Sequence, residues 1–148
     1  MTYSPNFRGS ESKGSSRQLI TNFQNGTIST LSKGTPVSVN TSSQLVAVNV
    51  SSETSVQALV GLTGQDIPSA ATGSVIYSGR LEDITTSYVA GDALYISKTG
   101  NLTNVKPDIG VGGFVSGDFV IFVGVVVKNE FNNSLKDIKL MLSVVGQL

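Results

Sequence analysis

From Pro36 onward the sequence is a series of short β-branched apolar runs separated by Gly, Asn, Asp and Ser, and this pattern restricts the fold more than any other feature. Several runs alternate apolar and polar residues with a period of two, as half-buried strands do. The connecting segments are short, and no segment sustains the 3.6-residue spacing of an amphipathic helix. The pattern predicts an all-β fold with strands at 36–40, 45–50, 56–63, 73–78, 80–85, 93–97, 101–105, 119–127 and 136–145.

Glycine and aspartate mark several turns between these strands. Gly100 lies between two of the runs, where the positive φ that glycine tolerates would close a hairpin. The pairs Gly91-Asp92 and Gly117-Asp118 each precede a strand. In each pair we expect the Asp carboxylate to bind nearby backbone amides and to fix where the strand begins. These aspartates are therefore interpreted as turn residues and not as catalytic ones.

The pattern leaves open how the strands close on one another. Because unpaired strand edges invite aggregation, we expect a single compact β-sandwich or β-barrel domain, or an oligomer that pairs its edges. The run 119–127 is apolar on both faces, which is typical of a central strand covered on both sides. A neighbouring subunit and a loop of the same domain are equally good covers for its second face. Helical structure is expected at most at 54–59 and 67–71.

Charged side chains are scarce in this sequence. They make up 14% of the chain, against about 25% in an ordinary soluble domain, and ten Lys and Arg balance ten Asp and Glu. A surface with so little charge and no net charge tends to associate. We therefore expect a homo-oligomer or a chain covered by other proteins. The alternative is a monomer whose polar surface consists of Ser, Thr and Asn.

The absence of His and Cys excludes most familiar catalytic sites. The usual general base, the thiol nucleophile and the commonest transition-metal ligands are all missing. Glu82 and Asp83 are adjacent on an expected strand, so they would point to opposite faces and could not share a site. Ser10 and Lys13 match the Ser-x-x-Lys pattern of some serine acylases, but they lie in a Gly- and Ser-rich stretch, whereas that chemistry needs a rigid lysine. We predict no enzyme activity, no catalytic residues, no cofactor and no metal site.

Nucleic acid and membranes are not expected partners. The neutral charge balance gives no substantial phosphate-binding footprint, and no phosphate-binding glycine loop is present. The longest apolar run, 119–127, is about half the length of a membrane-spanning helix. The N-terminal residues lack the apolar core of an export signal, so we expect a protein made and kept in a cytosol.

Residues 1–35 differ in composition from residues 36–148, and we predict an extended N-terminal arm followed by the β domain. The arm carries four positive and one negative side chain, a net charge of +3, which leaves −3 for the domain. A disordered tail is one interpretation of such a Ser- and Gly-rich segment. We favour an arm that becomes ordered on a neighbouring subunit, since aromatic and Arg side chains concentrate at contact sites. The expected anchors are Tyr3, Phe7, Arg8, Arg17 and Phe23.

Three segments carry a resemblance to a known group of proteins. They are GDALYISKTGNLTNVKP at 91–107, GDFVIFVGVV at 117–126 and KDIKLMLSVVGQL at 136–148. Their order of a Gly-Asp turn before a strand, a Thr-Gly hairpin and a closing strand resembles the β domains of head-decoration and head-fibre proteins of tailed bacteriophages. The resemblance covers residues 73–148, about half of the chain, with a looser similarity at 35–62.

The resemblance implies a non-enzymatic structural protein of the virion, often a trimer, with an N-terminal arm that reaches over neighbouring subunits. Its implied partners are the major capsid protein or another virion protein and further copies of itself, assembled in the cytoplasm of the bacterial host. A capsid decoration (cement) protein is the leading expectation. A neck or tail adaptor, a fibre-base protein and a host-surface glycan-binding module are the alternatives, the last with Tyr77, Tyr88 and Tyr95 as its available aromatic side chains.

Overall fold

The structure is a computed structural model that describes residues 19–148. Strands make up nearly all of its regular secondary structure, and the only helix in this range is one short segment. The prediction of an all-β fold is confirmed. In chain order the elements are β1 (Leu19–Asn25), β2 (Pro36–Val39), β3 (Gln44–Ala47), α1 (Glu53–Gln57), β4 (Leu59–Thr63), β5 (Thr72–Ile84), β6 (Ala93–Ile96), β7 (Leu102–Thr103), β8 (Phe119–Lys128) and β9 (Lys136–Gln147).

Strands β1 to β5 close into a five-stranded barrel. β1 pairs with β3 in parallel, while β3 with β2, β2 with β4, β4 with β5 and β5 with β1 are antiparallel pairs. Closure leaves these strands no free edge within the barrel, which is how small β domains avoid uncontrolled pairing. The buried residues of the barrel interior are Leu31, Val37, Leu45, Ile67 and Val75.

β5 is long enough to belong to two sheets. Its first half pairs with β1 and β4 in the barrel, and from Ser78 onward it pairs with β9. A second sheet follows in the order β5-β9-β8-β6-β7. The larger core cluster joins barrel residues such as Leu62 and Ile76 to Ile121 and Leu140 of the second sheet. The second sheet thus packs one face, called here the inner face, against the outer wall of the barrel.

Most strand predictions are confirmed, but the expected strand 56–63 begins only at Leu59, after α1, and the expected strand 101–105 is reduced to Leu102–Thr103. The expected strands 73–78 and 80–85 form one continuous strand, because the bulges in β5 bend it without interrupting it. A short helix occurs near the position expected, at Glu53–Gln57, with the Ser52 hydroxyl accepting a hydrogen bond from the Ser55 amide. No helix forms at 67–71, where Ile67 instead makes a bridge to Leu31. No helix in residues 19–148 is long and apolar enough to span a membrane.

The predicted boundary between arm and domain at residue 35 is wrong for residues 19–35. β1 is a wall of the barrel, and Leu31 is buried in its interior. The side-chain amide of Asn25, also buried, donates hydrogen bonds to the carbonyl oxygens of Ser29 and Ile67. The pairing partners of β1 lie about twenty and fifty residues further along the chain, so its local composition does not reveal it. The remainder of the predicted arm, residues 1–18, lies outside the described residues.

Candidate interaction surface

The second sheet has an outer face that carries apolar and aromatic side chains. Residues paired across strands share a face, so the register identifies them. Tyr95 of β6 lies opposite Phe122 of β8, and their rings make an edge-to-face contact with centroids 5.7 Å apart. Val125 of β8 lies between Ala93 of β6 and Lys139 of β9. All five side chains are half-buried or exposed, in contrast to those of the inner face.

The outer face continues onto β5 through a bulge. Leu19 pairs with Ser78 and Ile20 with Ile76, which leaves Tyr77 as the extra residue on β5. Ser78 also pairs with Met141 of β9. Tyr77 and Met141 are 46% and 45% exposed, large fractions for side chains of this size. The apolar residues of this surface, which we call the outer apolar face, are Leu19, Ala93, Tyr95, Phe122, Val125 and Met141, and the charged residues Arg80 and Lys139 lie among them.

The predicted double cover of strand 119–127 is present on one face only. Ile121, Val123 and Val126 are fully buried in the core between the sheet and the barrel. On the outer side, only Val120 at one end is buried, where residues 105–111 flank it. Phe122 and Val125, on the outer side of the strand, are partly buried. The loop alternative therefore holds for one end of the strand, and the rest of its outer side is partly buried.

A groove adjoins this face where β9 ends. It has a volume of about 640 Å³ and lies between residues 105–111 and the last residues of β9. Val105, Val111 and Val145 line it and are exposed, and Lys106 and Asp108 add one charge of each sign. The groove is open, and apolar atoms contribute more of its lining than polar atoms.

The expected arm anchors divide into two sets. Phe23 lies in β1 opposite Gly73 and packs against the core of its own barrel, where it is half-buried. Much of its surface is therefore used within its own domain. The other expected anchors, Tyr3, Phe7, Arg8 and Arg17, lie outside the described residues.

Asp118 links three distant parts of the chain. It is buried and accepts hydrogen bonds from the Lys98 ammonium at 2.5 Å, the Ser51 hydroxyl at 2.7 Å and the Val115 amide at 2.9 Å. The hydrogen bond from Lys98 is the largest influence on its pKa and, with those from Ser51 and Val115, outweighs burial, so the pKa falls to about 2. The amide contact confirms the predicted turn role of the Gly117-Asp118 pair. The contact with Lys98 was not visible in the sequence.

Asp137 is the centre of a second polar cluster. It accepts hydrogen bonds from Arg80 Nε at 2.7 Å, from the Asn129 side-chain amide at 2.8 Å and from the Asp83 backbone amide at 3.0 Å. Burial raises the pKa of Asp137, but these donors together outweigh it and hold the pKa below its usual value. Asp83, which has φ of 63°, in turn accepts a hydrogen bond from Asn129. The cluster fixes the bulge in β5 against the loop between β8 and β9.

The loop between β8 and β9 exposes the side chain of Phe131 to solvent. The side-chain oxygen of Asn129 accepts hydrogen bonds from the amides of Phe131 and Asn132, and the side-chain oxygen of Asn132 accepts one from Ser134. Such turns give a short loop a defined conformation. Phe131 is nevertheless 93% exposed. Asn-rich turns around a single aromatic residue are the sequence signal that could have drawn attention to this position.

Chemically, these carboxylates serve as structural acceptors. Each of the two buried ones is already occupied by a cation and by amide or hydroxyl donors. Among residues 19–148 there is no group of three or more His, Cys, Asp or Glu side chains placed to hold a metal ion. Exposed apolar side chains remain on and beside β9, among them Val105, Val111 and Val145 at the groove.

Comparison with known proteins does not assign the chain to a family. No protein-family model matches the chain, and no curated protein is significantly similar to it.

Proposed function

We propose that this protein is a non-enzymatic structural component of a bacteriophage virion, and specifically a capsid decoration protein. In this proposal it binds the major capsid protein, or another virion protein, through its N-terminal segment and is present in the assembled particle as a homo-oligomer. The observation that carries the proposal is the outer apolar face, which a free monomer would leave in water. Large apolar patches on a sheet face are typical of surfaces that another protein covers.

Other features support the same conclusion. Because the chain has few charged groups, few of them lose their hydration when subunits assemble. The desolvation penalty of assembly is therefore small. The second sheet contains the turns and the closing strand that resemble phage head proteins, including the hairpin in which Gly100 has φ of 87°. The two buried carboxylates with lowered pKa values, Asp118 and Asp137, are both engaged within the fold, by Lys98 and by Arg80.

Deletion of residues 2–18 tests the role of the N-terminal segment. The deletion stops before Leu19 because β1 is a barrel strand, and a longer truncation would confuse loss of binding with loss of fold. We expect virions assembled with the truncated protein to lose most of it during purification, as measured by quantitative mass spectrometry. Retention of the truncated protein at the level of the intact chain would contradict the proposed anchor.

Substitution on the outer apolar face tests the second contact. Met141→Asp places a charge on this face, whereas Val89→Asp places the same charge on an exposed valine in the loop before β6. We expect the first variant to be depleted from virions and the second to be retained, since only the first requires burial of a carboxylate. Equal retention of both variants would count against this face as a contact surface.

Copy number separates decoration from the tail alternatives. Hundreds of copies per virion fit a decoration protein, whereas about six or twelve copies fit a neck or tail adaptor or a fibre-base protein. Imaging of intact virions at subunit resolution gives this number and the position of the chain directly.

A host-surface glycan-binding module is the second candidate function. The observation in its favour is that Tyr77 is 46% exposed and that Tyr95 lies on the outer apolar face, so that aromatic rings could stack on sugar rings. Tyr88 is less suitable, because it packs against the core and its hydroxyl donates to the Leu102 carbonyl oxygen. Specific glycan-array binding that is lost in Tyr77→Ala would favour this function over decoration.

A further inference from the structure

β9 has one edge without a partner. It pairs with β8 from Lys136 to Gln147, but with β5 only as far as Met141. In the part of the chain that the structure describes, no strand lies on the second edge of residues 142–147. The side chains from Ser143 to Gln147 are exposed. The backbone N–H and C=O groups on this edge therefore have no strand partner among residues 19–148.

The other edges of the fold are protected against pairing. β7 ends the second sheet but is only two residues long. The free edge of β5 beyond Ser78 is made irregular by positive φ at Gly79 and Asp83, and it carries the charged side chains of Arg80 and Glu82. Short strands, bulges and charges are the usual means by which edges avoid adding further strands.

The edge of β9 has little of this protection. The sequence from residue 142 to residue 147, Leu-Ser-Val-Val-Gly-Gln, contains no charged residue and no proline. Val144 and Val145 are 49% and 56% exposed, and the pairing of this segment with β8 is irregular at Val145 and again at residues 141–142. β-branched residues are favourable in strands, so the segment is well suited to accept another strand. The apolar groove beside Val145 extends the contact surface beyond the backbone.

We propose that the edge of β9 at residues 142–147 docks against the same edge of a second copy of this chain, with the two strands antiparallel about a two-fold axis. Antiparallel pairing of an edge with its own copy satisfies both rows of backbone groups at once, and the contact is self-complementary by symmetry. A net charge of zero gives no long-range repulsion between copies. The inference rests on the self-association in the proposed function and identifies its surface, but it does not depend on a location in a virion.

Sedimentation of the full chain, over a wide range of concentration, measures this association. We expect a dimer that dissociates on dilution. Val145→Lys should weaken dimerisation at least about tenfold, because the symmetric contact would bring two like charges together. The matched control is Ile28→Lys, which places the same charge on a barrel loop at a side chain 99% exposed, and its association should equal that of the unmodified chain. Circular dichroism checks that both variants are folded.

Hydrogen exchange supplies a second measurement that needs no variant. Backbone amides between Ser143 and Gln147 should exchange more slowly as the protein concentration rises, while those of the loop containing Ile28 should not change. A chain that remains monomeric at all concentrations would overturn the proposal, as would equal weakening by the two lysine substitutions. A monomer that is still retained on virions would overturn this proposal alone and leave the proposed function standing.

Discussion

Asp118 shows how a single carboxylate can hold together segments far apart in the chain. It binds Lys98 in the hairpin between β6 and β7 and Ser51 just before α1. We expect Asp118→Asn to lower the free energy of unfolding by about 2 kcal/mol, because the amide cannot pair with the ammonium group. Denaturation in urea at neutral pH measures the loss. Asp92→Asn is the matched control, since Asp92 accepts a turn amide from Val89 in the same Gly-Asp context without an ion pair. Equal losses would show that Lys98 contributes nothing.

Acidification should weaken the fold through the same group. The folded-state pKa of Asp118 is about 2, below its ordinary value of 3.8, so its ionised form is favoured by folding. Its contribution is complete above about pH 4 and is lost as the pH falls towards 2. Asp137, whose pKa is also lowered, contributes in the same direction. Free energies of unfolding at a series of pH values should decline in this window, and less steeply for Asp118→Asn. An unchanged slope in that variant would contradict the assignment.

Gly124 is a position where no side chain fits. It lies in β8 beside a bulge, with φ of 158°, and an added Cβ would collide with the Lys139 carbonyl oxygen. We expect Gly124→Ala to destabilise the protein by about 3 kcal/mol or more, measured by thermal or urea unfolding. Gly91→Ala is the control, since Gly91 has φ of 99° but nothing within 4 Å of the added carbon. The Gly91→Ala variant should be destabilised only by the backbone strain. A larger loss of stability in this variant than in Gly124→Ala would be inconsistent with this explanation.

At the scale of single residues, the turn residues were predictable from the sequence, whereas their long-range partners were not. The Gly-Asp pairs and Gly100 were identified because turn chemistry is local in sequence. Lys98 and Arg80 were not identified as partners of Asp118 and Asp137, because each contact depends on which strands the fold places side by side. The exposed Phe131 was also missed, since the Asn-based turns that hold it resemble an ordinary loop.

At the scale of elements, β1 is the strand that the sequence did not reveal. Its residues are mostly exposed, so they lack the apolar alternation that identified the other strands. It becomes a strand because β3 and β5 offer it hydrogen-bonding edges on both sides. Tertiary pairing decides such cases more strongly than local propensity.

Truncation distinguishes this strand from the residues before it. Deletion of residues 2–18 should leave the melting temperature nearly unchanged, whereas deletion of residues 2–25 should open the barrel and lower it strongly. The reason is that the described pairs joining β1 to β5 run from Leu19 to Gln24, so the longer deletion removes all of them. Circular dichroism during heating compares the two proteins. Equal melting temperatures would show that the barrel closes without β1.

At the scale of the whole molecule, the barrel and the second sheet form one structural unit. They share β5, and the larger core cluster contains residues of both. We therefore expect a single cooperative unfolding transition, with calorimetric and van't Hoff enthalpies that agree. Scanning calorimetry measures both enthalpies. Two resolved transitions would mean that the layers fold independently.

The continuous course of β5 also determines how the molecule would bear mechanical load. Six residue pairs join β1 to β5, and β9 pairs with the same strand further along the chain. A force applied to Leu19 along the strand axis would load the six β1–β5 pairs together, in shear. The force would then be transmitted through β5 into the second sheet. Shear loading of a ladder resists rupture better than peeling it open one bond at a time. Attachment through the N-terminal segment, as proposed above, would therefore load the fold first through the β1–β5 ladder.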